Sequence, residues 1–210
     1  MVNPKNEERS VFVFDGVTVD LKNRFVAAIL AYLIPGAGHY YQGRKQKAAL
    51  FFSCILGLFV LGFAIGNGRV VYAYPETFDL TGIPRFLMRF FIPSKATPAT
   101  NGDVRIHAYA QALVGIPAFP MIYQSKVGPK PIGQQPLWGF MAPPPTDGLP
   151  EGDRLNPDWL SKWNADGSAS FDLGSLYTAV AGLLNLLVIF DAFSGPMPIP
   201  VSPARNRARR

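Results

Sequence analysis

Two long stretches without a charged side chain constrain this sequence more than any other feature. Residues 48–66 read AALFFSCILGLFVLGFAIG, 19 residues, and residues 173–190 read LGSLYTAVAGLLNLLVIF, 18 more before Asp191. A helix rises about 1.5 Å per residue, so about 20 apolar residues cross a hydrocarbon core of about 30 Å. Hiding two such helices inside a soluble protein needs a large surrounding core, and a 210-residue chain with 20 Pro and 20 Gly has little left to build one. Both stretches therefore read as membrane-crossing helices. Gly195, Pro196, Pro198 and Pro200 end the second, because proline cannot continue a helix.

The charge distribution supports the same reading. The chain carries a formal +6, yet residues 1–24 hold four bases and four acids, and residues 67–172 hold nine of each. The excess sits in Arg44, Lys45 and Lys47 before the first apolar stretch and in Arg205, Arg207, Arg209 and Arg210 after the second. Basic clusters beside apolar runs follow the positive-inside rule for cytoplasmic ends of membrane helices. A nucleic-acid-binding chain would instead spread its basic residues over a folded face. Two cytoplasmic clusters require an even number of crossings between Lys47 and Arg205, which the two long stretches already supply.

Two other apolar stretches are broken by proline. Residues 25–34 are followed by Pro35, Gly36, Ala37 and Gly38, with His39, Tyr40 and Tyr41 extending the uncharged length to 17. Pro35 has no amide proton for the carbonyl of Ala31, so that turn needs another partner, and in lipid such a break survives only when packed in protein or wetted. A broken or re-entrant helix is expected here. A cleaved signal peptide is the competing reading, against which stand four acids and no compact basic segment in the preceding 24 residues. Residues 106–123, with Pro117, Pro120, His107 and Gln111, are uncharged too. A third crossing would spoil the charge balance, so this segment is expected on the extracytoplasmic side, packed in a small domain or lying against the bilayer.

The expected fold is thus a mainly α membrane protein. An N-terminal segment (1–24) contains Asp15-Gly16 between VFVF and VTVD, the signal of a β-hairpin with a type I′ turn. A broken helix plus the first span follows (25–66), then a Pro/Gly-rich extracytoplasmic region (67–172), the last span (173–193) and a basic cytoplasmic tail (194–210). In the central region Trp138, Trp159 and Trp163 are candidate core anchors. Residues 84–93 have the composition of a short interfacial helix or of a buried strand or turn, and residues 139–150 that of an extended linker.

The most specific local pattern is Pro35-Gly36-Ala37-Gly38-His39-Tyr40-Tyr41-Gln42-Gly43-Arg44. It resembles the PGxGHxYxGR turn of small bacterial two-helix membrane modules. Together with GSLYTAVAGLLNLLVIFDA, residues 174–192, it makes the chain similar to an uncharacterised planctomycete family of integral membrane proteins, a domain of unknown function. The resemblance covers the first 45 or so residues of the membrane portion and the last 20, and implies membrane location without an activity.

Within the turn, Pro35, Gly36, Gly38, His39 and Gly43 are candidate structural residues, His39 fixing the bend by hydrogen bonding. Its functional rival is a proton-relay or metal role. His107, the only other His, lies far off in sequence, and no carboxylate sits beside either at ligand spacing. The single Cys54 excludes an internal disulfide framework and a Cys-ligated zinc site. No nucleophile elbow, phosphate loop or metalloprotease motif is present, so neither catalysis nor a cofactor is expected. Small residues repeat every four positions in Ala49, Ser53, Gly57 and in Gly174, Thr178, Gly182, with Asn185 on the latter face. In lipid such stripes let helices approach, so these residues are candidate packing contacts in a bundle or an oligomer.

The function expected from sequence is a noncatalytic structural or assembly role in a bacterial inner membrane. The bilayer is one partner and a second copy or another membrane protein is the other. A small transporter or channel subunit with a polar path near His39 and Asn185 is the alternative.

Overall fold

The computed structural model describes residues 11–14, 17–20, 23–75, 77, 106–147 and 158–195. Near the N-terminus β1 (Val11–Phe14) pairs antiparallel with β2 (Val17–Asp20), Val11 opposite Asp20 and Phe14 opposite Val17. Asp15 and Gly16, and with them the expected turn type, lie outside the described residues, as do residues 84–93 and the basic tail.

Six helices follow. Asn23 caps α1 (Arg24–Leu33) by accepting from the amides of Phe25 and Val26, and the helix stops before Pro35. Gly36, at φ +83°, turns the chain into the short α2 (Ala37–Tyr41). The first long apolar helix is α3 (Lys45–Ile65), ended by Gly66-Asn67-Gly68, where the Gly68 amide returns to the carbonyl of Phe63. Next come α4 (Ile106–Ala112), a break, and α5 (Phe119–Val127). The last helix, α6 (Trp159–Ser194), has 36 residues. It begins well before residue 173 because Asp158 caps it through the Ser161 amide at 2.8 Å, whereas hydropathy registers only its apolar part. Two helical stretches, Lys45–Ile65 and Ala169–Ser194, are long and apolar enough to cross a membrane.

The two long helices run antiparallel and meet through glycine. Gly62 faces Tyr177 and Thr178, and a Cβ on Gly174 would lie 2.6 Å from the carbonyl oxygen of Gly62. At the opposite, basic end Lys47 reaches Asp191. Counting along the pair from either contact sets Asn185 opposite Ser53, near the middle of α3.

Residues 106–127 depart from expectation. They do not form a peripheral layer: α4 packs along the apolar part of α6, and Ala108, Gln111, Val114, Ala118 and Met121 are buried. Gly182 makes this possible, since any Cβ there would strike the Ala110 carbonyl oxygen. Gln124 in α5 holds Phe140, whose ring meets Phe63 in the last turn of α3 edge to face. So α4 and α5 form a hairpin that enters the bundle from the far end and returns to it. The α1–α2 hairpin does the reverse. Phe25 stacks edgewise on Phe193 and His39 touches Asp191, so both its ends lie at the basic end.

Other expectations need correcting. Ala49, Ser53 and Gly57 are exposed, with nothing within 4 Å of a Cβ on Gly57, so they are not contacts within this bundle, and the oligomer contact that the spacing also allowed is left as the expectation for them. The buried face of α3 is Ala48, Ile55, Phe59 and Gly62. A helix apolar on every side offers several small-residue stripes, and their spacing cannot choose between faces. Trp163 packs on the main core between Tyr72 and Arg69, and Trp159 donates its indole N–H to the carbonyl of Asp147, but Trp138 is fully exposed. The expected linker is anchored, with Met141, Ala142, Pro143 and Pro144 buried.

These contacts predict that Gly182→Ala lowers the melting temperature in detergent, because overpacking costs about 1–3 kcal/mol or more. Leu187→Ala, at a position 63% exposed, should shift it far less. Equal melting of the two variants would refute the close α4–α6 approach.

Candidate functional site: a polar seam along the last helix

A proline leaves unbonded the carbonyl four residues before it in a helix. Pro35 does this to Ala31 in the last turn of α1, and at the second break Leu113, just past the end of α4, is left without a helical partner because Gly115 turns the chain away before Pro117. Both carbonyls belong to hairpin tips, and both receive the same side chain: Asn185 Nδ2 donates to Ala31 O at 3.2 Å and to Leu113 O at 2.8 Å. The side chain is fully buried. Reversing its amide would set its oxygen against two carbonyl oxygens, so the partners fix its orientation. The tips themselves touch. Gly115, at φ +87°, lies so close to the carbonyls of Tyr32 and Leu33 that no side chain fits between. Two helix-break-helix hairpins thus meet end to end beside the last third of α6, with one carboxamide joining them.

Toward the far end, Gln111 of α4 donates to the Val70 carbonyl at 3.1 Å and to Thr178 Oγ at 2.8 Å. The Thr178 hydroxyl points back to carbonyls of its own helix, Gly174 at 2.8 Å and Ser175 at 3.0 Å. This leaves its lone pair for Gln111. At the basic end, Gln42 Nε2 donates to the Ala192 carbonyl at 2.6 Å. Ala192 stands four residues before Pro196, so this is a third carbonyl that backbone cannot satisfy.

His39 lies beside it, outside both candidate spans and wholly buried. Its Nε2 is 2.6 Å from Asp191 Oδ2, with Arg44 at 3.3 Å and Lys47 at 3.5 Å from the same oxygen. A carboxylate only accepts, so the proton sits on Nε2. Nδ1 is buried without a partner among the described residues. A second proton there would have no acceptor. Burial, the largest influence, and the nearby Arg44 hold the imidazole below its ordinary pKa, against the pull of Asp191. His39 is therefore a neutral donor near pH 7, T-shaped against Phe51 at 4.9 Å. With Asp191 it offers two metal ligands, and among the described residues no third His, Cys, Asp or Glu joins them.

The other turn residues act through shape. A Cβ on Gly36 would meet the Ala48 carbonyl, and one on Gly38 the Ala27 carbonyl, so α2 wedges between α1 and α3. Gly43 has φ +81° and open space around it, so it serves the left-handed turn alone. Of the residues singled out from sequence, Gly174, Thr178, Gly182 and Asn185 face other helices, and Ala49, Ser53 and Gly57 do not. Gln42 and Gln111 were not anticipated as ties. Counting back four from Pro196 to the Ala192 carbonyl, then seeking a carboxamide to match, would have pointed to Gln42, whereas the partners of Gln111 carry no such signal.

The architecture defines a class: a helical bundle whose two long apolar helices clasp two shorter hairpins meeting tip to tip. The chain belongs to the family of unknown function DUF6677, which matches residues 26–205 and so includes the central region that the turn and last helix alone left unaccounted for. Comparison with curated proteins and with solved structures gives no match.

Asn185→Leu should lower stability by about 1–3 kcal/mol for each orphaned carbonyl, read as a lower melting temperature. Asn185→Asp should not rescue it, because an ionised carboxylate cannot donate. A separate test uses pH. A folded His39 pKa below the unfolded 6.5 means the unfolded chain binds the proton first. Stability should therefore be complete above pH 6.5 and fall as pH drops toward the folded pKa. His39→Gln should remove that part of the slope, and an unchanged pH profile in the variant would contradict the assignment.

Proposed function

We propose that this protein is a multi-pass integral protein of a bacterial inner membrane with a noncatalytic structural or assembly role. Its two long helices cross the bilayer, and its two hairpins each reach half depth from opposite sides. The ten residues of α1 make about 15 Å, half of a core of about 30 Å. Asn185, where the tips meet, lies level with the middle of α3. Arg44, Lys45 and Lys47 then mark the cytoplasmic end. Two crossings with two re-entrant hairpins keep the even number that the basic clusters require.

One observation carries the noncatalytic reading: the polar groups released at both breaks are closed by Asn185 rather than turned toward a cavity. Broken helices meeting at mid-depth are also how many transporters build substrate sites. The second reading, a small transporter or channel subunit, draws on that likeness and on Asn185 Oδ1, which has no partner among the described residues.

Purified protein in liposomes separates the two. The structural role predicts no ion or solute flux above empty liposomes, together with copurification of a stoichiometric protein from gently solubilised membranes. Flux that disappears in Asn185→Leu protein of intact fold would establish the transporter reading instead. Topology is tested in a Cys54→Ser background with single cysteines at Lys45 and Pro145. An impermeant thiol reagent on intact cells should label position 145 and spare position 45, and the opposite pattern would invert the arrangement.

A further inference from the structure

The turn after α5 holds its backbone in a conformation that side chains resist. Leu137 (φ 50°, ψ 32°) and Trp138 (φ 54°, ψ 29°) are consecutive left-handed residues, and Met141 at φ 55° is a third. A side chain resists this conformation, so the surroundings must impose it. They do so from beneath. Gln124, almost wholly buried, donates to the carbonyls of Pro136 at 2.5 Å and Phe140 at 3.2 Å. Met141 is buried, and the Phe140 ring is seated on Phe63. The effect of this clamp is outward presentation: Trp138 is 101% exposed and Leu137 43%. An indole at the crest of a strained, anchored turn, exposed and with no ring contact among the described residues, calls for an occupant outside it.

Position and continuity identify that occupant. Phe63 is two residues from the end of α3, so Phe140 and its turn stand at the far boundary of the candidate span. From the mid-depth tip, Ile116, Phe119, Tyr123 and Val127 form an exposed stripe at helical spacing along α5, leading up to the turn. Exposed Lys126 adjoins Val127 at the end of that stripe, and exposed Lys130 follows it in the chain before Trp138. An apolar flank that ends in cations and an indole is the composition of a segment at the edge of a bilayer, where tryptophan collects and lysine reaches phosphate. We propose that the turn at residues 136–141 is an interfacial anchor, seating the Trp138 indole at the headgroup boundary of the extracytoplasmic leaflet and fixing the height of the α4–α5 hairpin. This rests on the membrane reading above.

The test uses the full chain in vesicles of phosphatidylcholine and phosphatidylglycerol, with Trp138→Phe as the reference whose spectrum is subtracted. The Trp138 emission should be blue-shifted from that of aqueous indole. It should lose most of its intensity when lipids brominated near the headgroup end of the chain are used, and little with aqueous iodide. Emission at the aqueous position, quenched by iodide and indifferent to bromine, would overturn the anchor. Blue-shifted emission quenched by neither would overturn it too, since the indole would then be covered by protein. Flotation of the same vesicles separates this from the parent reading. Protein that floats and resists alkaline extraction while Trp138 stays aqueous refutes the anchor alone, whereas protein that fails to float refutes membrane insertion.

Discussion

Everything in this fold turns on a carboxamide with two hydrogens and two carbonyls that have no other donor. Asn185 closes the break before Pro35 and the break before Pro117 at once. An unsatisfied backbone carbonyl in an apolar interior costs kilocalories, so neither hairpin can bend back inside the bundle unless that cost is met. Gly115 and Gly182 then bring the chain close enough for the bonds to form. Remove their freedom and the donor no longer reaches its acceptors, however apolar the surrounding helices are.

The same solution recurs at the basic end. Gln42 serves the Ala192 carbonyl, and His39 serves a carboxylate already approached by Arg44 and Lys47. Asp191 sits at the edge, its side chain 30% exposed, where water weakens each ion pair. The buried His39 contact supplies directionality, and the neighbouring cations supply charge balance. A histidine used in this way is a hydrogen-bonding wedge. Its Nε2 is committed to Asp191 and its Nδ1 is buried.

What the sequence made legible was whatever depends on local chemistry. Uncharged length located α3 and the apolar part of α6, and the missing amide of Pro35 announced both the break and the stranded Ala31 carbonyl. The same reasoning applied to Pro117 would have revealed residues 106–127 as a second broken hairpin. Charge counting by itself allowed only an even number of crossings, and an excursion that enters and returns satisfies the count as well as a surface segment does. The partners of Asn185 were hidden because they lie 154 and 72 residues away, and the orientation of α3 because every side of it is apolar. The start of α6 was missed because its cap at Asp158 precedes the hydrophobic signal by more than two turns of helix.

The long sequence separations of these ties also set an order of assembly. Ala31, Gln42, His39 and Gln111 all find partners on α6, which is made after all four of them. Until it arrives, both early hairpins carry bare carbonyls and a buried imidazole with nothing to bond. A nascent chain must therefore keep these segments shallow, wetted or chaperoned, and its two halves cannot mature independently. Completion is cooperative: one helix converts two metastable excursions into a closed structure. A chain cut short before residue 185 is left with the marks of an unfinished protein, which a membrane protease can recognise without reading any sequence.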